Sequence, residues 1–210
     1  MTTAGILALS VTIVAALVDW WSRLRRLDRW ETVSKPLATI GVIAIAALAD
    51  APGDQRLVAV LALSLCLAGD VLLMPAIDRF VFGLAAFLLG HVAFVVLFVQ
   101  LGLPEAWLGG LALVFGALLV ATVGNVIVRG AALRDRALKR PVVGYLAVIT
   151  AMTAVGWSTG RPWVVLGSTS FVVSDSILGW RQFVRERSWM SVAVMVTYHL
   201  AIVSLALSLW

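Results

Sequence analysis

Residues 80–101 read FVFGLAAFLLGHVAFVVLFVQL, twenty-two positions without a formal charge. A hydrocarbon core is crossed by ~20 apolar residues in a helix. The run is too long for a strand and shows no alternation of apolar and polar positions, so it reads as a helix. Similar runs occupy about 4–20, 36–50, 57–75, 106–128, 141–157, 162–181 and 190–210. The predicted fold is therefore all-α, a polytopic membrane bundle of eight transmembrane helices. Composition excludes the water-soluble classes. Of 210 residues, 62% are apolar and 13% are charged, against about 25% charged in soluble domains. Mean hydropathy is +1.04. Eight spans consume most of the chain, so a single transmembrane domain over 1–210 is expected, with no room for an aqueous one. The lone cysteine, Cys66, excludes an intrachain disulfide and a Cys-based metal cage.

The loops alternate in basic residues. With the N-terminus outside, fourteen of the sixteen Lys and Arg fall in inner loops: within 23–35, at Arg79, within 129–140 and within 181–187. Only Arg56 and Arg161 fall outside. Short cytoplasmic loops collect Lys and Arg, so the expected location is an inner or plasma membrane with both termini extracytoplasmic. The net charge of +5 thus reads as an orientation signal, and no nucleic-acid partner is implied. No positive charge precedes the first run, which reads as a span and not as a secretory signal. Eight of the nine tryptophans stand at predicted span ends, where an indole meets both lipid and water; Trp30 falls in the first basic loop.

Comparing the chain with itself gives one useful register, an offset of half its length. It pairs Lys35-Pro36 with Arg140-Pro141, Arg29 with Arg134, Arg56 with Arg161 and Asp70 with Asp175. Four spans per half is an even number, so halves of about 1–105 and 106–210 would form a parallel 4+4 repeat.

Asp70 and Asp175 are read as the only formally charged side chains within the spans. An ionisable residue at such depth is a functional candidate by default. Each lies at a similar distance from the inner ends, as does Tyr145, with Lys35 and Arg140 at the inner mouth and His91 and His199 nearer the midplane. These groups imply a polar cavity opening toward the cytoplasmic side. Two facing carboxylates disfavour a double negative charge and tend to share one proton, leaving one acid and one base at the same pH. Such a pair suits acid-assisted addition of water. It also suits proton or ion coupling in a small transporter, or an intramembrane aspartyl protease. A lone intramembrane Asp can equally be a hydrogen-bond hub, and the histidines and Tyr145 can be packing residues. Gly83, Ala85, Ala86 and Gly90 read as close helix packing.

These residues resemble the YhhN-type lysoplasmalogenases. The likeness rests on Lys35-Pro36-Leu37, on Ser64 to Asp70 with Leu73-Met74, and on Phe82-Gly83-Leu84 through Phe87 to His91 and Phe94. It continues through Pro141, Tyr145, Met152, Gly167 to Phe171, Ser174-Asp175 and Thr197-Tyr198. The resemblance implies an eight-span membrane hydrolase that cleaves the vinyl ether bond of a lysophospholipid, the lysoplasmalogen. A fatty aldehyde and glycerophospho-ethanolamine or -choline would be released. It maps the family's two intramembrane aspartates onto Asp70 and Asp175 as the catalytic pair. Lys35 and Arg140 would meet the lipid phosphate, and His91 or Tyr145 would orient a carboxyl group or the water. Tyr198 and His199 would complete the substrate contacts. The last span departs from the family pattern, with His199 after Tyr198 and Ile202 in place of a glutamine. No cofactor or metal is required, although two Asp and two His could in principle bind one.

Overall fold

The structure, a computed structural model, describes residues 1–25, 27–74 and 76–210, and of Asp28 the backbone only. Arg26, one of the basic residues counted on the inner side, lies outside the described residues. The helices are α1 (Thr3–Arg25), α2 (Asp28–Ala47), α3 (Gly53–Leu72), α4 (Phe80–Leu101) and α5 (Ala106–Leu119). They continue with α6 (Asn125–Arg134), α7 (Lys139–Ser158), α8 (Pro162–Phe183) and α9 (Met190–Leu207). One π-helical turn, Val120–Gly124, joins α5 to α6 without a break. The described residues therefore form eight rods and no strand.

Seven of the rods are long and apolar enough to cross a membrane, one fewer than the eight spans expected. The exception is α2. Its first two turns carry Arg29, Glu31 and Lys35, which the sequence assigned to a loop starting the span only at residue 36. Two of those charges are paired inside the bundle, Glu31 with Arg23 of α1 at 2.8 Å and Lys35 with Asp70 of α3 at 3.2 Å, while Arg29 is exposed. Pro36 lies inside α2 and Trp30 on it, so neither marks a loop. The fifth span is also longer than expected. At 29 residues and 1.5 Å per residue it reaches about 43 Å, well past a hydrocarbon core of about 30 Å, so α6 extends the rod toward the inner basic segment.

Outward faces are apolar, unlike those of a soluble bundle, and the buried polar groups sit among an apolar core. Ile6, Leu7 and Val14 on α1, Val96 and Val99 on α4, and Val114, Phe115 and Leu118 on α5 are exposed. The core lies among α2, α3, α4, α7, α8 and α9, where Val42, Leu63, Phe94, Phe98, Met152, Phe171, Ile202 and Leu205 are fully buried. Small residues set the closest approaches. Gly83 and Gly90 of α4 face Leu73, Ala62 and Cys66 of the α3 side, and Ala86 is buried, whereas Ala85 points outward. Helices neighbouring in sequence pack on one another, α1 on α2, α3 on α4 and α8 on α9 most extensively. Between the halves, α4 packs on α7 and α9 packs on α2.

At Gly130 the α6 backbone comes so near the end of α8 that an added Cβ would overlap the carbonyl of Phe183. Backbone cannot swing aside as a side chain does. Gly130→Ala should push α6 off α8 and cost about 1–3 kcal/mol of stability, seen as a lower midpoint of thermal unfolding in detergent. Gly110→Ala, where nothing lies within 4 Å, is the control and should leave that midpoint unchanged or higher.

Candidate functional site

The two aspartates sit in different surroundings. Asp70 occupies the last turn of α3 and is 1% exposed. Thr39 of α2 and Tyr198 of α9 each donate a hydroxyl hydrogen to its Oδ2 at 2.7 Å. Lys35 Nζ stands 3.2 Å from Oδ1 and 3.4 Å from the Asp70 carbonyl oxygen. A lysine cation and two hydroxyl donors converge on the carboxylate, a setting complementary to an ionised group. Lys35, expected at the inner mouth, is itself buried and committed to Asp70.

Asp175 stands eight residues before the end of α8, so the equal depths expected of the two carboxylates are not what the helix ends give. Its Oδ2 accepts from the Tyr145 hydroxyl of α7 at 2.5 Å, and His91 Nε2 of α4 lies 3.9 Å from the same oxygen. Among the described residues Oδ1 has no hydrogen-bonding partner, and no Lys or Arg comes within ion-pair distance of the group. Asp175 and Tyr145 lie together on the lining of a narrow, partly open cleft of about 40 Å³. Its walls follow helical spacing: Phe80, Leu84 and Phe87 on α4, Val142 and Leu146 on α7, Leu178, Gln182 and Phe183 on α8, with Ile127 of α6 closing one side. The cleft is apolar apart from Gln182 and these two groups.

Among the described residues no hydrogen bond joins Asp70 to Asp175, so the contact through which a facing pair would share a proton is not among those found. What lies between them is aromatic. Phe171 packs edge-on to His91 at 4.9 Å and to Tyr198 at 5.9 Å. Phe87, a cleft wall, packs edge-on to Tyr198 at 5.7 Å. Asp70 is therefore one ring and one hydroxyl removed from the cleft. Arg140 is exposed at the start of α7, five residues before Tyr145. His199 turns away from this region, its Nδ1 accepting from Trp20 Nε1 of α1 at 2.9 Å. Ile202, where a family glutamine was expected, is fully buried in the core. Of the four expected Asp and His side chains only His91 and Asp175 approach each other, and among the described residues no three His, Cys, Asp or Glu converge on one point.

A third buried carboxylate escaped the sequence reading. Asp19, inside the first apolar run of about 4–20, is 0% exposed within α1, so Asp70 and Asp175 are not the only charged side chains within the spans. Its Oδ2 meets Arg23 Nε at 3.1 Å, and the same guanidinium reaches Glu31 at 2.8 Å and Ser191 Oγ at 3.1 Å. This cluster ties α1 to the starts of α2 and α9. The i, i+4 spacing of Asp19 and Arg23 was the available signal.

Fold and site together define an integral membrane protein of the helical-bundle class, with one carboxylate locked behind an apolar cleft and another on its lining. The chain belongs to the YhhN family, which it matches over residues 30–209. It is similar to curated proteins named lysoplasmalogenase from Mycobacterium bovis and Mycobacterium tuberculosis, each 32% identical over 163 residues. The alignment covers 75% of this chain and 62% of each relative, so the chain spans less than two thirds of their length. No solved structure matches it.

Proposed function

We propose that the protein is a lysoplasmalogenase-like membrane hydrolase that cleaves the vinyl ether bond of a lysophospholipid, with Asp175 as the acid. One observation carries the reading: a carboxyl oxygen without a protein partner on the lining of an apolar cleft. No Lys or Arg stands beside Asp175 to favour its ionised form, and the reading takes this group as the proton donor. The substrate's alkenyl chain lies along the apolar walls, and Arg140 stands where the lipid phosphate arrives. Tyr145 and Arg140 are five residues apart, about 7.5 Å along the helix axis, a span that glycerol bridges between phosphate and vinyl ether.

The chemistry balances on these groups. Asp175 Oδ1 gives its proton to the β-carbon of the vinyl ether, and the electron pair of the double bond forms the new C–H bond. The ether oxygen's lone pair spreads onto the adjacent carbon as an oxocarbenium ion, with the new Asp175 carboxylate beside it. Water adds to that carbon and its proton returns to Asp175, giving a hemiacetal. The hemiacetal hydroxyl proton passes to the glycerol oxygen as the C–O bond breaks, leaving aldehyde and alcohol. Asp70, ionised and neutralised by Lys35, fixes Tyr198 and the cleft wall behind Phe87. The test is aldehyde release from a lysoplasmalogen by purified protein in detergent. Folded protein that releases none overturns the reading, and substrate-dependent ion flux in liposomes without product would favour the carrier.

The same reading takes all eight rods as crossing, α2 with its buried Lys35–Asp70 pair included, which puts both termini outside and the cleft mouth inside, with four rods in each half. The exchange-related contacts, α4 on α7 and α9 on α2, support the halves, and the basic ends of α6, α7 and α8 support the orientation. Because Cys66 is buried, Arg134→Cys provides a nearly background-free probe. An impermeant maleimide should label it only after the membrane is opened, and labelling of intact cells would reverse the topology.

A further inference from the structure

His91 carries unmet hydrogen-bonding capacity on both ring nitrogens. The side chain is 0% exposed, and neither Nδ1 nor Nε2 has a hydrogen-bond partner. Other residues with such atoms among those described leave one each. Leaving a buried donor unpaired costs about 1–3 kcal/mol, so an imidazole is a poor filler for a purely apolar space. The ring is gripped edge-on by Tyr145 at 5.4 Å and by Phe171 at 4.9 Å, which fixes where its edge points. The polar atom it approaches is Asp175 Oδ2, at 3.9 Å. That gap exceeds a direct hydrogen bond, whose length is about 2.9 Å. A water lying off the line between the two atoms reaches both, and buried waters occupy such places when two or more polar groups converge.

We propose that a buried water bridges His91 Nε2 to Asp175 Oδ2, making His91 a positioning residue that acts on the acid from the side away from the cleft. This rests on the proposed role of Asp175. Tyr145 and the bridging water together hold Oδ2, which leaves Oδ1 as the oxygen turned to the substrate. When Oδ1 has given up its proton, the same two partners hold the carboxylate in place. The titratable groups around Asp175 are Tyr145 of α7, His91 of α4 and, farther off, Cys66 of α3. None of these is a fixed cation, so neutral donors are what this carboxylate has, in contrast to Lys35 beside Asp70.

Infrared difference spectroscopy of the full-length protein tests this without reference to activity. The carbonyl band of the protonated carboxyl is assigned by its loss in Asp175→Asn. In His91→Phe, which keeps an aromatic ring in the cage, the band should move to higher frequency, and a water band sensitive to H2(18)O should vanish. His91→Gln, whose amide can bond a water, should move the carboxyl band back toward its original position and retain the water band. Aldehyde release should fall in His91→Phe by about 10–100-fold in kcat, the scale of a misplaced reacting group, with KM within about twofold because the ring does not line the cleft. An unmoved carboxyl band in folded His91→Phe overturns the proposal, as does a moved band with no water band to lose. If His91→Phe shows the band shift but the wild-type protein releases no aldehyde, the hydrolase reading fails and the bridge stands.

Discussion

Asp175→Asn should lower aldehyde release by about 10²–10⁴-fold, the usual worth of a placed general acid, while the protein stays folded. The two side chains have the same shape. The asparagine carbonyl can still accept from the Tyr145 hydroxyl, and no ion pair with Lys or Arg is lost, so the structural change should stay within about 1 kcal/mol. What disappears is the proton on the oxygen facing the cleft, since an amide is far too weak an acid to protonate carbon. The comparison is made on purified variants with matched thermal midpoints and matched elution from a sizing column. Retention of full activity by Asp175→Asn would remove the acid from the mechanism. Tyr145→Phe is the graded companion. It keeps Asp175 but removes the donor at Oδ2, and should cost less than Asp175→Asn.

The architecture was legible in the sequence wherever it depended on local chemistry. Uncharged runs such as 80–101 gave α4 its bounds to the residue, and Trp107, Trp163 and Trp180 stand near helix ends as the interface preference of indole demands. The borders that shifted are those where a helix carries charge. Residues 28–35 look like a loop because Arg29, Glu31 and Lys35 are costly in lipid, yet they form helix, with Arg23 opposite Glu31, Asp70 opposite Lys35 and Arg29 exposed. Those partners come from other helices, and a single sequence carries no mark of them. The candidate site divides in the same way. Asp70, Asp175, Tyr145 and His91 could be nominated from residue type and depth alone. That Lys35 and Tyr198 belong to Asp70, while Tyr145 and His91 belong to Asp175, depends on contacts spanning up to 128 residues of chain. The offset repeat predicts equivalent surroundings for the two carboxylates. They differ because α3 ends two residues after Asp70, whereas α8 runs on for two turns and builds a cleft wall.

That difference gives the second large expectation, a loss of stability and not of chemistry. Lys35→Met removes the only Lys or Arg ion-paired with Asp70 among the described residues and leaves an ionised carboxylate in a site 1% exposed. Breaking a buried ion pair by deleting one partner costs about 3–5 kcal/mol, because the remaining charge is neither solvated nor neutralised. The two hydroxyls of Thr39 and Tyr198 offset part of that cost, as hydrogen bonds to a charge are worth about 1.5–3 kcal/mol each, but they are already made when Lys35 is present. Met matches the length of the lysine stem, so packing on α2 is largely kept. Lys35→Met/Asp70→Asn removes both charges at once and should recover most of the loss, a coupling that a double-mutant cycle of unfolding midpoints in detergent measures directly. If the single and double variants unfold alike, the pair is not the hub of α2, α3 and α9. The double variant also separates the two aspartates functionally. With Asp70 behind Tyr198 and Phe87, its aldehyde release should fall far less than that of Asp175→Asn. Should a stably folded double variant instead lose activity to the same extent, Asp70 would have to reach the reacting atoms itself, and the cleft would have to open past Tyr198 during turnover.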